Sequence, residues 1–207
     1  MPHHASKMYH FRYFLTEISS KLHLHEPIDE IKDFDNRHRG ILRKHIAVLG
    51  WWSVFNIVLG IVALIWLSGH WYYFMMMNMV WGIINFMVSM IVIDHAFFRK
   101  FRKGDCLERF EVQRHIEKML IFNIGLDLSY IFFGLFLHAK GCAMPADRVA
   151  LWQGFGISVI AQGIFLFCLD NYFHYLHLLN FRKAQPYLEK VLWEGEAVVK
   201  ESEKGID

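Results

Sequence analysis

Between positions 46 and 93 this chain has no lysine, arginine, aspartate or glutamate, and the stretches 119–138 and 151–176 hold one acid each and no lysine or arginine. The charged residues are gathered instead in 1–45, 94–118 and 180–207. A soluble domain keeps charge on every exposed face, so this distribution argues against the buried helices of a soluble bundle and points to several membrane spans. Proline is also scarce, 4 in 207 residues, and none falls in the uncharged stretches. The 3 cysteines, Cys106, Cys142 and Cys168, lie in separate segments without ligand spacing. They read as free thiols, with no disulfide framework. A net charge of +2 is too small an excess to suggest a nucleic-acid partner. The first 45 residues are polar or amphipathic and contain no short apolar core behind a basic start. No cleavable signal peptide is therefore expected, and the first span serves as its own insertion signal.

Catalytic motifs are missing too. The chain has no Walker loop, no GxGxxG opening a soluble helix, no GxSxG elbow, no HExxH and no full His-box pattern of a membrane di-iron oxygenase. These absences lean the reading away from an enzyme, and no cofactor is required by the sequence.

What is present are four apolar runs, each near the ~20 residues that cross a bilayer. They cover about 46–67, 71–93, 119–138 and 151–176. The expected fold is all-α, an integral membrane four-helix bundle with short amphipathic cytoplasmic helices at both ends. Three parts follow from this pattern: an amphipathic N-terminal segment over 1–45, the four-span domain over 46–178, and an amphipathic C-terminal tail over 179–207. Orientation is read from basic residues in short flanks. "RHRGILRKH", "FFRKFRKGD" and "NFRKAQPYLEK" flank one side, against "SGH" and "AKGCAMPADRV" on the other. Both termini are thus expected in the cytoplasm. Trp51, Trp52, Trp66, Trp71, Tyr72, Tyr73 and Trp152 sit near span ends and read as an interfacial aromatic belt. "RKHIAVLGWWSVFN" and "QRHIEKMLIFNIGLD" open the odd spans, while "DHAFFRKFRK" and "DNYFHYLHLLNFRK" close the even ones, a hint of two repeated hairpins.

Outside the spans, Met8, Phe11, Leu15, Ile18 and Leu22 form a narrow apolar stripe suited to a membrane surface or a partner. "PYLEKVLWEGEAVVKESEK" reads as a second short amphipathic helix. The expected partners are the lipid bilayer and other membrane subunits or further copies of the chain.

Polar residues inside a bilayer are costly unless they face protein or water, so their spacing marks the inner face of each span. Ser53, Asn56, Gly60 and Ala63 form one stripe, and Asn78, Gly82, Asn85 and Ser89 a second. Asn123, Asp127, Tyr130 and Gly134 form a third, and Gly156, Gly163, Asp170 and His177 a fourth, with His174 beside it. Together they predict a polar seam, a candidate proton or ion site made of Asn56, Asn85, Asn123, Asp127, Gln162 and Asp170. Close packing of small residues and interhelical amide bonds account for much of it. Asp127 stands apart, because an acid at mid-depth costs roughly 2.5–3.5 kcal/mol even on the lenient insertion scale. It must be protonated, hydrogen-bonded by Asn56, Asn85 or Gln162, or open to water. Asp94, nine residues beyond Asn85, turns to the other side of its span and reads as an interfacial ion pair with Arg99 or Lys100.

Asp170, His174 and His177 share one helical face and form a candidate metal set, with His45 and His115 at the same depth. Haem would need His pairs from facing helices. His45, His95, His115 and His174 on one side and His70 and His138 on the other are available, yet all stand at span ends. Three roles follow: an accessory or structural subunit of a membrane assembly or homo-oligomer, a small oligomeric transporter or channel using the seam, or a His-ligated metal or haem protein.

Overall fold

The computed structural model describes residues 29–93 and 106–204, with side chains described over 33–93 and 112–186. Among these residues the chain forms four helices and no strand. They are α1 (Asp29–Trp66), α2 (Gly69–Ile93), α3 (Cys106–Cys142) and α4 (Ala146–Lys204). Each contains a segment long and apolar enough to span a membrane: Asp33–Trp66, Gly69–Ile93, Val112–Cys142 and Ala146–Pro186. The stripe over 8–22, Asp94 and His95 lie outside the described residues.

Two compact units are distinguished, His38–Leu178 on the one hand and Met1–Arg37 with Leu179–Asp207 on the other. In the second unit Arg37 Nε donates to Asn180 Oδ1 at 2.8 Å, and Asn180 Nδ2 donates to the Phe34 carbonyl at 3.2 Å. The expected boundaries at 45/46 and 178/179 both fall inside continuous helices, α1 and α4. The short, separate C-terminal helix expected from "PYLEKVLWEGEAVVKESEK" is corrected here, because that segment is the continuation of α4, a helix of 59 residues with Pro186 inside it. The residues before Pro186, "LLNFRKAQ", are mostly good helix formers and contain no glycine. A lone proline removes one backbone bond and kinks a helix without having to end it.

Within the His38–Leu178 unit the helices run alternately up and down. Gly69 joins α1 to α2 at a φ of 63°, a left-handed conformation that glycine adopts without steric cost. Pro145 immediately precedes α4, where its fixed φ suits the opening of a helix. These two turns define a hairpin end. The opposite end, where His38 and Leu178 lie, is called the terminus end. Helix α4 touches all three others. It meets α1 through stacked rings, Trp52 on Phe165 (centroids 3.8 Å apart) and His45 on Phe173 (4.4 Å). It meets α2 through Tyr73 and Phe155, and α3 through a bond from Gln113 Nε2 to the His177 carbonyl at 2.9 Å. Helices α2 and α3 meet edge to face at Trp81 and Tyr130.

The α3–α4 contact is close where both helices have glycine. A Cβ at Gly156 would stand 2.6 Å from the His138 nitrogen and 2.8 Å from the Gly134 carbonyl. A Cβ at Gly163 would stand 3.0 Å from the Asp127 carbonyl. Small residues thus let backbone meet backbone, the usual basis of tight helix pairing in an apolar solvent. Burial is inverted relative to a soluble bundle. Val58, Ile65, Met87, Ile91, Phe122 and Phe132 are exposed, whereas Ser53, Asn56, Asn78, Asn85, Asp127, Gln162 and Asp170 are buried. An apolar cluster of Leu42 and Ile46, with Val92, Ile93 and Ile116 packed against it, fills part of the terminus end.

Candidate functional site

The interior of the His38–Leu178 unit divides into two chemically different halves. Toward the hairpin end lies a neutral network centred on Gln162, which is 1% exposed. Its Oε1 accepts from Trp52 Nε1 at 2.9 Å. Its Nε2 donates to Asn78 Oδ1 at 2.7 Å and to Asn56 Oδ1 at 3.1 Å. Ser158 Oγ donates to the same Asn78 oxygen at 3.1 Å, and Asn56 Nδ2 donates to the Trp52 carbonyl at 2.7 Å. Buried amides that satisfy one another in this way fix helix register at little net cost. Trp52 is the correction to the aromatic-belt reading. Trp51, Trp66 and Trp71 are exposed, but Trp52 is half-buried, stacks on Phe165 and aims its N–H inward at Gln162.

From the level of Asp127 to the terminus end the interior is titratable and poorly satisfied. Asp127 is 3% exposed, and its Oδ2 has no hydrogen-bond partner. Asn56 and Gln162, two of the three partners foreseen for it, spend their amides on the network above. The third, Asn85, is buried with its Nδ2 unpartnered. The Trp81–Tyr130 contact sets the α2–α3 register and places Asn85 level with Asp127, because each lies about one turn further toward the terminus end. Trp81 Nε1 is buried and unpartnered as well. Two donors and one acceptor on facing helices, with Trp81 about one turn nearer the hairpin end than the other two, therefore go without a partner in the chain.

The next level holds Asp170, buried, with His45 Nε2 3.1 Å from its Oδ1. No hydrogen bond is aligned along that line, so the contact is one of proximity. One level further, His177 is fully buried, has no hydrogen-bond partner at either ring nitrogen, and tilts against the His38 ring at 5.1 Å. Gln113 and Glu117, both buried, close this level: Gln113 Nε2 reaches Glu117 Oε1 at 3.0 Å, and Arg114 Nη1 reaches Glu117 Oε2 at 2.9 Å. Such a column, with carboxylates and imidazoles at successive levels, can hold and pass protons once bridging groups connect it.

Among the residues foreseen for the site, Asn123 and His174 are only half-buried. His115 and His70 are exposed. Asp170, His174 and His177 do not gather around one point, and no group of three or more His, Cys, Asp or Glu among the described residues is placed to hold a metal ion. The geometry explains this. Residues i and i+7 on a helix stand about 10 Å apart along its axis, too far to share an ion bonded at about 2 Å. Unforeseen were the bonds of Trp52 and Ser158 and the buried Gln113, Glu117 and His38. Gln113 could have been found, since seven-residue steps from Gly134 through Asp127 and Leu120 lead to it.

A family model described as a family of unknown function (DUF6992) matches residues 48–171, more than half of the chain. The chain belongs to this family. The matched region includes the Gln162 network, Asp127 and Asp170, whereas His38, His45 and His177 fall outside it. Neither the curated proteins nor the solved structures include a match to this DUF6992 chain.

Proposed function

We propose that this protein is an integral membrane protein with four spans and both termini in the cytoplasm, and that its bundle interior binds and exchanges protons or a small cation at Asp127. The observation that carries the reading is a mid-bundle acid, 3% exposed, with an unpartnered carboxylate oxygen. A purely structural acid would be expected to have its oxygens bonded, because a buried unsatisfied group costs about 1–3 kcal/mol. Support for the membrane setting comes from the four apolar helices and the inverted burial, with apolar side chains outward and amides and acids inward. The basic flanks support the orientation. Four helices rarely enclose a pathway alone, so the active form is an oligomer or part of a larger assembly. The terminus-end Asp170, His45 and His177 serve as the relay between Asp127 and the cytoplasm.

The test is proton or cation flux in reconstituted vesicles. Wild-type protein should give a flux that Asp127→Asn abolishes, and an unchanged flux in the variant would remove Asp127 from the mechanism. A second reading, an accessory subunit that acts by docking alone, is favoured by the exposed apolar perimeter on all four helices. It predicts that protein from native membranes copurifies with other subunits and that Asp127→Asn changes neither partners nor flux.

A further inference from the structure

We infer that the bundle holds a file of water from Asp127 to His177, open only at the terminus end and closed at the hairpin end by the Gln162 network. The inference deepens the proton reading of Asp127 and rests on it for its purpose, although the file itself can be tested separately.

Three observations converge. First, the unpartnered buried atoms have a direction. Asn85 Nδ2, Asp127 Oδ2 and both ring nitrogens of His177 lie at the level of Asp127 or nearer the terminus end, with Trp81 Nε1 one turn to the hairpin side of Asp127. In contrast, Gln162, Asn56, Asn78 and Ser158 on the hairpin side bond to one another. Three of the unpartnered side chains, Asn85, Asp127 and His177, are more than nine-tenths buried. Second, the mixture of types selects the ligand. A metal ion would leave the Asn85 N–H groups unsatisfied, and an anion would offer no donor to the Asp127 carboxyl oxygen. Water both donates to the carboxylate and accepts from the amide, so one small ligand satisfies both.

Third, the spacing demands a bridge. Gly163, which packs on the Asp127 carbonyl, Asp170 and His177 follow each other at seven-residue steps on α4. Each step is about 10 Å, whereas one hydrogen-bonded link spans about 2.8 Å. Two or three waters per step connect the levels, with the Asp170–His45 contact as the midpoint through which the file passes. The titratable groups along it are Asp127, Asp170, His45, His174, His177, His38 and Glu117. On the hairpin side Gly134 and Gly156 bring the backbones of α3 and α4 together, which leaves no width for a water at that interface. Asp127 then exchanges with the terminus side alone, as the closed end of a half-channel.

The experiment uses full-length protein in sealed vesicles of known orientation, with Cys106, Cys142 and Cys168 replaced by Ser. Single cysteines are introduced by Ser89→Cys, in the file half, and Ser158→Cys, in the seal; both native serines are buried. The probe is silver ion in chloride-free buffer, water-sized and membrane-impermeant, read as protection of the thiol from later maleimide labelling in denaturant. Ser89→Cys should be protected by silver added on the terminus side and not on the other, and Ser158→Cys from neither side. Loss of protection at Ser89→Cys from both sides would overturn the file, and protection at Ser158→Cys would overturn the seal. Size-exclusion elution matching wild type admits each variant, and Asn85→Cys replaces Ser89→Cys if that variant misfolds. Sided protection together with a flux indifferent to Asp127→Asn upholds the file while sinking the proton reading.

Discussion

Replacing Gln162 by Leu removes the one side chain among the described residues that ties α4 to both α1 and α2 by hydrogen bonds. Leucine has nearly the volume of glutamine, so packing at this buried position is preserved and the polar loss is isolated. Three bonds disappear: from Trp52 at 2.9 Å, to Asn78 at 2.7 Å and to Asn56 at 3.1 Å. Interhelical bonds in membrane bundles average about 0.6 kcal/mol each and reach about 1.7. The expected cost is therefore about 2 kcal/mol, rising toward about 5 if the Trp52 N–H and the Asn56 oxygen stay buried without replacement partners. Ser158→Ala is the internal comparison, because it loses one bond and leaves Asn78 Oδ1 bonded to Gln162; its cost should be about 0.6 kcal/mol. The assay is reversible unfolding in mixed micelles, followed by tryptophan fluorescence. Trp52→Phe keeps the stack on Phe165 and deletes only the N–H, so combining it with Gln162→Leu should be clearly non-additive. A Gln162→Leu cost no larger than that of Ser158→Ala would refute the idea that this network locks the bundle.

Three further outcomes follow from the same contacts. Asp127→Leu should raise the unfolding free energy by about 2 kcal/mol, since an acid at mid-depth is charged roughly 2.5–3.5 kcal/mol, while abolishing flux; a destabilised variant would expose a structural partner for the acid. His45→Gln and Asp170→Asn should show a coupling energy of about 0.5–3 kcal/mol in a double-mutant cycle, because the two side chains stand 3.1 Å apart; strict additivity would mean the contact carries no energy. Gly156→Ala should cost about 1–3 kcal/mol by overpacking, its Cβ meeting the His138 nitrogen at 2.6 Å, whereas Gly125→Ala, with nothing within 4 Å, should be neutral or slightly stabilising; thermal melts of the pair would reveal any equality that speaks against close α3–α4 packing.

The inward faces were legible in the sequence because they are periodic in one dimension. Ser53 and Asn56, Asn78 and Asn85, and Gly156 through His177 are spaced by three, four or seven, and all are buried. Partner choice was not legible, because it depends on the register between helices. Nothing local to Asp170 says that His45 will face it, or local to Trp52 that its N–H turns inward to Gln162 instead of outward to an interface. Three residues on one face of α4 suggested a shared ion, but angular phase ignores rise along the axis, and the rise separates Asp170 from His177. The continuation of α4 past Pro186 was missed for a related reason. A change of composition at that point resembles a boundary, whereas the backbone needs a stronger stop than one proline to leave the helix.

The division between a hydrogen-bonded half and a titratable half can be followed along a single seven-residue series on α4. Gly156 and Gly163 come first, and on the same face Asp170 and His177 follow; opposite them on α3 stand Gly134, Asp127, Leu120 and Gln113. Where glycine meets glycine the backbones touch, and polar atoms are confined to the neighbouring network, where each finds a partner. Where the series changes to aspartate and histidine, the same face supplies titratable side chains, and both ring nitrogens of His177 go without a partner. If packing alone had shaped this face, continuing the small residues would have held α3 and α4 together at lower cost, since each unsatisfied buried group opposes folding by about 1–3 kcal/mol. Strain of that kind, confined to one end and aligned with an acid at the boundary, is what the proposed exchange at Asp127 requires and what packing for stability alone does not.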